Sequence, residues 1–275
     1  MELKFWGVRG SFPVSEKDKT GYGGHTLCAG IWSSDGRLII VDAGTGIRDL
    51  GKEIMKSEAG NPVELHLLLT HFHLDHIMGL PFFKPLRSPR VTITFYADEE
   101  PELIERYLDG LMDGRYFPYG LSETEAVKIF KKIEGDSFSI GKVGISQCPL
   151  HHPQGSVAYR LEEEGKSIVF ATDTEHPTQG HDQRLISFSR GADFLIYDAM
   201  FTPQEYAAGR QGWGHSTWLD GTEVAKAAGV GTLCLSHFNP DHSDDALDEM
   251  AALAQHAFPS TLAAREGLKR SWQKQ

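Results

Sequence analysis

The sequence predicts an α+β fold, with mixed β-sheets stacked as a sandwich and flanked by helices. Short apolar runs, many rich in Val, Ile, Phe and Tyr, read as strands, and longer stretches of helical periodicity, several closed by Gly or Pro, separate them. In both halves of the chain strands come first in a run and then alternate with helices. That order suits a sandwich with outer helices better than a simple doubly wound sheet. In the first half the runs at 1–6, 27–33 and 37–42 read as strands, 46–57 as a helix, 64–70 as a strand, 75–84 as a helix and 91–96 as a strand, with helical patterns again at 100–112 and 122–133. In the second half 143–149, 156–163 and 166–171 read as strands, 182–190 as a helix, 193–198 as a strand, 217–228 as a helix, 231–236 as a strand and 243–257 as a helix.

No Ser/Gly- or Pro-rich linker divides the 275 residues, so one domain over 1–275 is expected. No apolar run approaches the ~20 residues needed to cross a bilayer, and "MELKFWGVRG" lacks a basic stretch followed by an apolar core. A cytoplasmic location, with no membrane partner, is the expectation. Cys28, Cys148 and Cys234 lie far apart beside apolar neighbours and read as buried thiols rather than a disulfide framework. The net charge of −11 works against broad attraction to nucleic acid, which rests on many Lys/Arg–phosphate contacts. A small anionic substrate is still admissible, because bound cations can draw in an anion that the protein surface repels.

The chemistry concentrates at "LLLTHFHLDHIMGL", residues 67–80, where His71, His73, Asp75 and His76 fall where a strand gives way to a helix. Loops held at strand ends gather binding and catalytic groups, and imidazole with carboxylate suits Zn²⁺ or a neighbouring divalent metal. Two metals ~3.5–4 Å apart would need these donors and several more. Further candidates follow apolar runs: His151 and His152 in "CPLHHPQG", Asp173 in "VFATDTEH" and His237 in "LCLSHFNPDH". The same placement three times over favours a shared site.

The HxHxDH pattern at 71–76, followed by a His, an Asp and a His after successive strands, resembles the metallo-β-lactamase superfamily. That resemblance implies a four-layer αβ/βα sandwich of two mixed β-sheets flanked by helices, with the metal site at one edge of the sheets. "FWGVRGSFPV", "YGGHTLC", "VDAGTGIRDLG", "ATDTEH" and "GWGHSTW" are similar to the phosphodiesterase branch that includes tRNase Z and the phosphoribosyl cyclic phosphodiesterases. The resemblance implies that His71, His73 and His152 bind one divalent ion and Asp75, His76 and His237 another, with Asp173 bridging; Zn²⁺ is expected first and Mn²⁺ second. His152 is preferred over His151 because it directly precedes the P-x-G of the family's position. Two cations sharing a water would lower its pKa, so that hydroxide becomes available as nucleophile.

The catalytic set implied by the resemblance is Asp75, His215 and Asp198. His215 of "GWGHSTW" matches a histidine that acts as general acid or phosphate contact, oriented by an acidic residue; here "YDAMF" (197–201) supplies Asp198 in place of a glutamate. The bland reading of His215 is an N-terminal helix residue of no catalytic importance, since Ser216 or Thr217 would cap a helix well. In "VDAGTGIRDLG", Gly44 and Gly46 could form an anion-binding turn, or Asp42 could hydrogen-bond behind a metal ligand; the second is favoured. His25 stands where relatives carry Asn and is left out of the ligand set. The segment 99–133, with Tyr107, Tyr116, Phe117 and Tyr119, reads as a lid or a dimer contact, or as an ordinary surface insertion.

The expected function is hydrolysis of a small phosphodiester, such as a cyclic nucleotide or cyclic sugar phosphate. Alternatives are thioester or lactone hydrolysis on the same metal site, and tRNA 3′ processing, against which stand the acidic charge and the lack of a long basic Gly/Pro-rich arm. A di-iron redox role would resemble HxExD, whereas position 73 is His. A homodimer is left open.

Overall fold

The computed structural model describes residues 1–57, 60–135, 137–177 and 180–272. Its first half runs β1 (Glu2–Gly7), β2 (Cys28–Trp32), β3 (Leu38–Val41), α1 (Ile47–Ser57), β4 (Val63–Leu68), α2 (Leu74–Ile77), β5 (Val91–Ala97), α3 (Pro101–Asp109) and β6 (Val127–Lys132). The second half runs β7 (Ser137–Ile140), β8 (Val143–Leu150), β9 (Ser156–Glu163), β10 (Lys166–Ala171), α4 (Gln183–Phe188), β11 (Phe194–Asp198), α5 (Pro203–Ala207), α6 (Trp218–Ala228), β12 (Leu233–Ser236), α7 (Asp244–Ala257), β13 (Thr261–Ala263) and β14 (Lys269–Ser271).

Strand alternation builds two hydrophobic layers at once. In β3 every residue is buried, yet Ile39 and Val41 face the second sheet while Leu38 and Ile40 face the helical layer with Ile47, Leu50 and Ile54 of α1. This two-sided burial explains why the strand reads as an unbroken apolar run. One sheet has the order β14-β1-β2-β3-β4-β5-β6 and the other β13-β12-β11-β10-β9-β8-β7. In each, an antiparallel meander leads into parallel strands: β3 to β6 in the first, β10 to β13 in the second. The core between the sheets includes Leu3, Phe5, Ile168, Phe170, Leu195 and Tyr197, and on the far side of the second sheet Leu185, Val224 and Leu247 of α4, α6 and α7 close the outer layer. The result is the mixed four-layer sandwich expected from the sequence.

All ten expected strands are present, with ends within one or two residues. The helix expected over 122–133 is not: Leu121–Glu123 is a single 3-10 turn, and 127–132 is the edge strand β6, paired in parallel with β5 from Thr92↔Val127 to Ala97↔Lys132. Val127, Ile129 and Phe130 favour a strand, and an open backbone edge on β5 outweighs the helical propensity of the lysines between them. The helix expected over 75–84 is cut to α2 and two 3-10 turns, Leu80–Phe82 and Lys84–Arg87, because Pro81 and Pro85 each sit at the start of a turn and cannot continue a helix. Strands β7, β13 and β14 were not legible, being three or four residues long and, in β14, fully exposed. Helix α5, five residues long, escaped the pattern as well.

Segment 99–133 is partly absorbed into the fold: Ile104 and Leu108 of α3 enter the helical-side core and β6 extends the first sheet. All three cysteines are free and buried. Among the described residues no helix is long and apolar enough to cross a membrane.

Leu195, fully buried in β11 between two parallel neighbours, tests the sandwich core. Leu195→Ala should lower stability by roughly 2–5 kcal/mol through the cavity it leaves, read as a lower urea midpoint at unchanged slope.

Candidate metal centre

Six strand ends deliver the site. Asp42 follows β3, His71 and His73 follow β4, His152 follows β8, Asp173 follows β10, Asp198 ends β11 and His237 follows β12. Asp75 and His76 lie on α2, whose N-cap is His73. Asp42, Asp173 and His237 adopt left-handed backbone, at φ of 60°, 58° and 60°. Such conformations are costly for non-glycine residues and gather at functional sites. At all three positions the chain turns sharply off a strand and aims its side chain across the sheet ends.

Two donor groups result. In the first, His71, His73 and His152 bring one nitrogen each to within 4.8 Å of the others, with His152 Nε2 3.1 Å from His73 Nδ1. In the second, Asp75, His76, Asp173 and His237 do the same; His76 Nε2 and His237 Nε2 are 3.3 Å apart, and each lies close to Asp75 Oδ2, at 3.4 and 3.2 Å. Asp173 divides its oxygens between the groups. Its Oδ2 is 3.1 Å from His76 Nε2 and 3.3 Å from His237 Nε2, while Oδ1 is 3.9 Å from both His71 Nε2 and His152 Nε2.

The outward hydrogen bonds determine which ring nitrogens carry lone pairs. Thr70 donates its hydroxyl to Asp42, so His71 Nδ1 donates to Thr70 Oγ1 at 3.1 Å and Nε2 is the acceptor. His76 Nδ1 donates to Asp42 Oδ2 at 2.8 Å, His152 Nδ1 to the Gly214 carbonyl at 2.8 Å and His73 Nε2 to Gln154 Oε1 at 3.1 Å. Each of these four rings therefore turns a lone pair inward, the arrangement that partners behind metal-ligating histidines enforce. His71 Nε2 and Asp173 Oδ2 are moreover sealed from solvent without a hydrogen-bond partner. Buried acceptors facing one another without a donor fit two divalent cations. Asp42 thus stands behind His76, as favoured from the sequence. The alternative anion-binding turn does not form, since the Gly44 and Gly46 amides donate to the Leu27 and Thr26 carbonyls.

Without cations, protons balance the buried carboxylates. Burial alone would disfavour charge on His76, but Asp173, Asp75 and Asp42 push it well above its ordinary value. Asp75 shows the converse: burial opposes its charge, yet His76 and His237 hold it far below the carboxylate range. Burial and then His76 push His71 down, and burial lowers His152.

His215 lies two residues ahead of Thr217, the N-cap of α6, and is not part of that cap. Its Nδ1 donates to Asp198 Oδ2 at 2.9 Å, so the shorter carboxylate reaches the ring. Asp198 also accepts from the Asp173 amide at 2.9 Å and from the Met200 and Ser216 amides, which fix its orientation. Burial disfavours charge on His215, but Asp198, with Asp173 and Asp75 behind it, raises it to about 9.

His25 turns away from the cluster, toward Thr45 Oγ1 and Asp49. His151 is exposed and instead lines a cavity of about 520 Å³ with Glu175, Tyr206, Gly212 and His215. A second cavity, of about 680 Å³, opens beside His71 and His73 and is walled by Phe72, Tyr107, Asp98 and Glu99. The sequence reading missed three supports. The Ser11 amide donates to Asp75 Oδ2 at 2.7 Å, Gln154 meets His73, and Glu175 accepts from the Tyr206 hydroxyl and the Gly212 and Gly214 amides. All three lie inside quoted motifs: Ser11 in "FWGVRGSFPV", Gln154 in "CPLHHPQG" and Glu175 in "ATDTEH", two places after Asp173.

A family model described as "Beta-lactamase superfamily domain" matches residues 37–238. Ribonuclease Z of Gemmatimonas aurantiaca is 35% identical, over 96% of this chain and 94% of that protein. Among solved structures, the metallo-β-lactamase fold protein YhfI of Bacillus subtilis superposes with a TM-score of 0.69 at 22% identity, covering 98% of each chain. The short form of human tRNase Z does so with 0.67 at 17% identity, over 98% of this chain and 99% of that one. The chain belongs to the metallo-β-lactamase superfamily, as a metal-dependent hydrolase of the phosphodiesterase branch that includes ribonuclease Z.

In metal-free protein the His215 ring should titrate near 9, and lower in Asp198→Asn, when followed by NMR. Because this pKa is raised on folding, the stabilisation is full below the ordinary imidazole value of about 6.5 and is lost as pH rises through 9. The drop in unfolding midpoint across that window should be smaller in Asp198→Asn; equal drops would rule out the coupling.

Proposed function

We propose that the protein hydrolyses a small phosphodiester using two divalent cations, Zn²⁺ first and Mn²⁺ second. His71, His73 and His152 hold one, Asp75, His76 and His237 the other, and Asp173 lies between them. The observation that carries this reading is the division of the Asp173 oxygens between two sets of inward lone pairs. When bound, such a pair neutralises phosphoryl charge and acidifies water enough for attack near neutral pH. Asp75, kept ionised by His76 and His237 and oriented by the Ser11 amide, accepts a hydrogen bond from the attacking water. His215 donates Nδ1 to Asp198 and so keeps a proton on Nε2 for the leaving oxygen. Acyl transfer has less need of that group, which favours phosphate over thioester or lactone substrates.

The two cavities favour a small substrate. Asp98 and Glu99 flank one and Glu175 the other, an unwelcoming border for a long polyanion. Phe72 and Tyr107, with rings 5.1 Å apart edge to face, offer an apolar wall to a base or sugar. The segment 99–133 contributes Tyr107 and in this reading shapes that wall, with its further aromatics available to a lid or a homodimer contact. The second reading, tRNA 3′ processing, is favoured by the ribonuclease Z relatives. The alignment to the Gemmatimonas protein runs over 321 positions, more than this chain's 275 residues, so this chain lacks segments which that relative has. That supports the smaller substrate.

Protein stripped of metal and reloaded with Zn²⁺ or Mn²⁺ should hydrolyse bis(p-nitrophenyl) phosphate and leave a p-nitrophenyl ester and a thioester untouched. Turnover of the acyl compounds alone would overturn the phosphodiesterase assignment, and efficient cleavage of a tRNA precursor with none of cyclic nucleotides or cyclic sugar phosphates would favour the RNA reading. Asp173→Ala should lose metal and activity together. His215→Ala should keep its metals and lose turnover by roughly 10²–10⁴-fold, as checked by metal analysis beside kinetics.

A further inference from the structure

A third donor set lies outside the residues discussed so far as ligands. His176, on the loop after β10, His181, ahead of α4, and Asp220, in the first turn of α6, each bring one donor atom to within 4.8 Å of the others. The imidazole rings of His176 and His181 are 4.6 Å apart. His176 Nδ1 and His181 Nδ1 are both sealed from solvent without a hydrogen-bond partner.

A relay of hydroxyls settles the tautomer of His176. Ser216 donates to the Thr174 carbonyl at 2.6 Å, and Tyr197 donates to Ser216 Oγ at 3.1 Å. With its proton spent, the Tyr197 oxygen accepts from His176 Nε2. The buried Nδ1 of His176 therefore carries a lone pair with nothing to receive it. Asp220 commits Oδ2 to the cap of α6, where it accepts from the Thr217 amide and hydroxyl, and leaves its other oxygen for the cluster.

From this geometry we infer that His176, His181 and Asp220 bind a third, mononuclear divalent cation, of the two-imidazole, one-carboxylate kind that suits Zn²⁺. The site shares no residue with the two donor groups of the main centre. It ties the loop that carries Asp173 to the first turn of the helix that follows His215. His176 and Asp220 also line the cavity of about 520 Å³ into which His215 faces. With three protein donors, a fourth position is left for water or for an anionic oxygen entering that cavity.

The test is a zinc count on the full chain, stripped with a chelator, dialysed against Zn²⁺ and measured by elemental analysis. The parent should bind three ions and the double variant His181→Gln, Asp220→Asn two, with Asn keeping a cap acceptor for α6. His181→Gln alone, at a half-buried position, gives the same comparison should the double variant misfold by circular dichroism. A difference of one ion between parent and variant supports the site whatever the parent's total; no difference overturns it. The inference does not rest on the proposed phosphodiesterase activity, and Asp173→Ala separates the two, since it should empty the main centre and leave one ion at the third site.

Discussion

Buried negative charge is the constraint around which this structure is arranged. Asp42, Asp75, Asp173 and Asp198 lie within one cluster at the edge of the two sheets, all of them buried. Ionised carboxylates so placed require compensating charge and hydrogen bonds. Histidines meet the requirement in two ways. A ring can carry a proton, as the raised pKa of His76 shows, or it can turn a lone pair toward a cation that supplies the charge instead. The outward partners Asp42, Thr70, Gln154 and the Gly214 carbonyl favour the second way by holding the ring protons outside the cluster.

The sandwich supplies the convergence that the charges need. Each sheet changes from antiparallel to parallel pairing, so several strands of each finish at the same edge. Donors that follow β4, β8, β10 and β12 can then meet although they are far apart in the chain. Left-handed turns at Asp42, Asp173 and His237 bend the chain from strand direction toward the neighbouring sheet. The cost of those conformations is offset by the cooperative packing of β3, β10 and β12 behind them, whose residues are almost all buried.

In the proposed function, specificity and reactivity fall to separate parts of this arrangement. The donor set lies on the strand ends, where the sandwich holds it rigidly. The cavity walls come from α3, from the loop around Gln154 and from the loop that Glu175 anchors, all outside the sheets. Variation in these walls leaves the donor set undisturbed, which is how one fold serves several hydrolases.

Much of this was legible in the sequence because the relevant signals are local. Buried strands such as "LIIV" carry their two-sided burial in four successive apolar residues, and "HFHLDH" packs four donor side chains into one turn. The edge strand β6 has a helical local pattern because its pairing partner, the open side of β5, lies thirty-five residues earlier in register, as Thr92↔Val127 shows. The terminal strand β14 left no signal because its place is decided by backbone bonds to β1, at the opposite end of the chain. By itself, then, the sequence determined a mixed sandwich through hydrophobic period and element order, its four-layer form through the resemblance its motifs carry, and the kinds of donor present, since all of these are read along the chain. Only the tertiary structure decided which nitrogen of each histidine faces inward, how Asp173 divides its oxygens, and that His176, His181 and Asp220 meet, because hydrogen-bond partners and ligand geometry depend on distances between strand ends that no local pattern encodes.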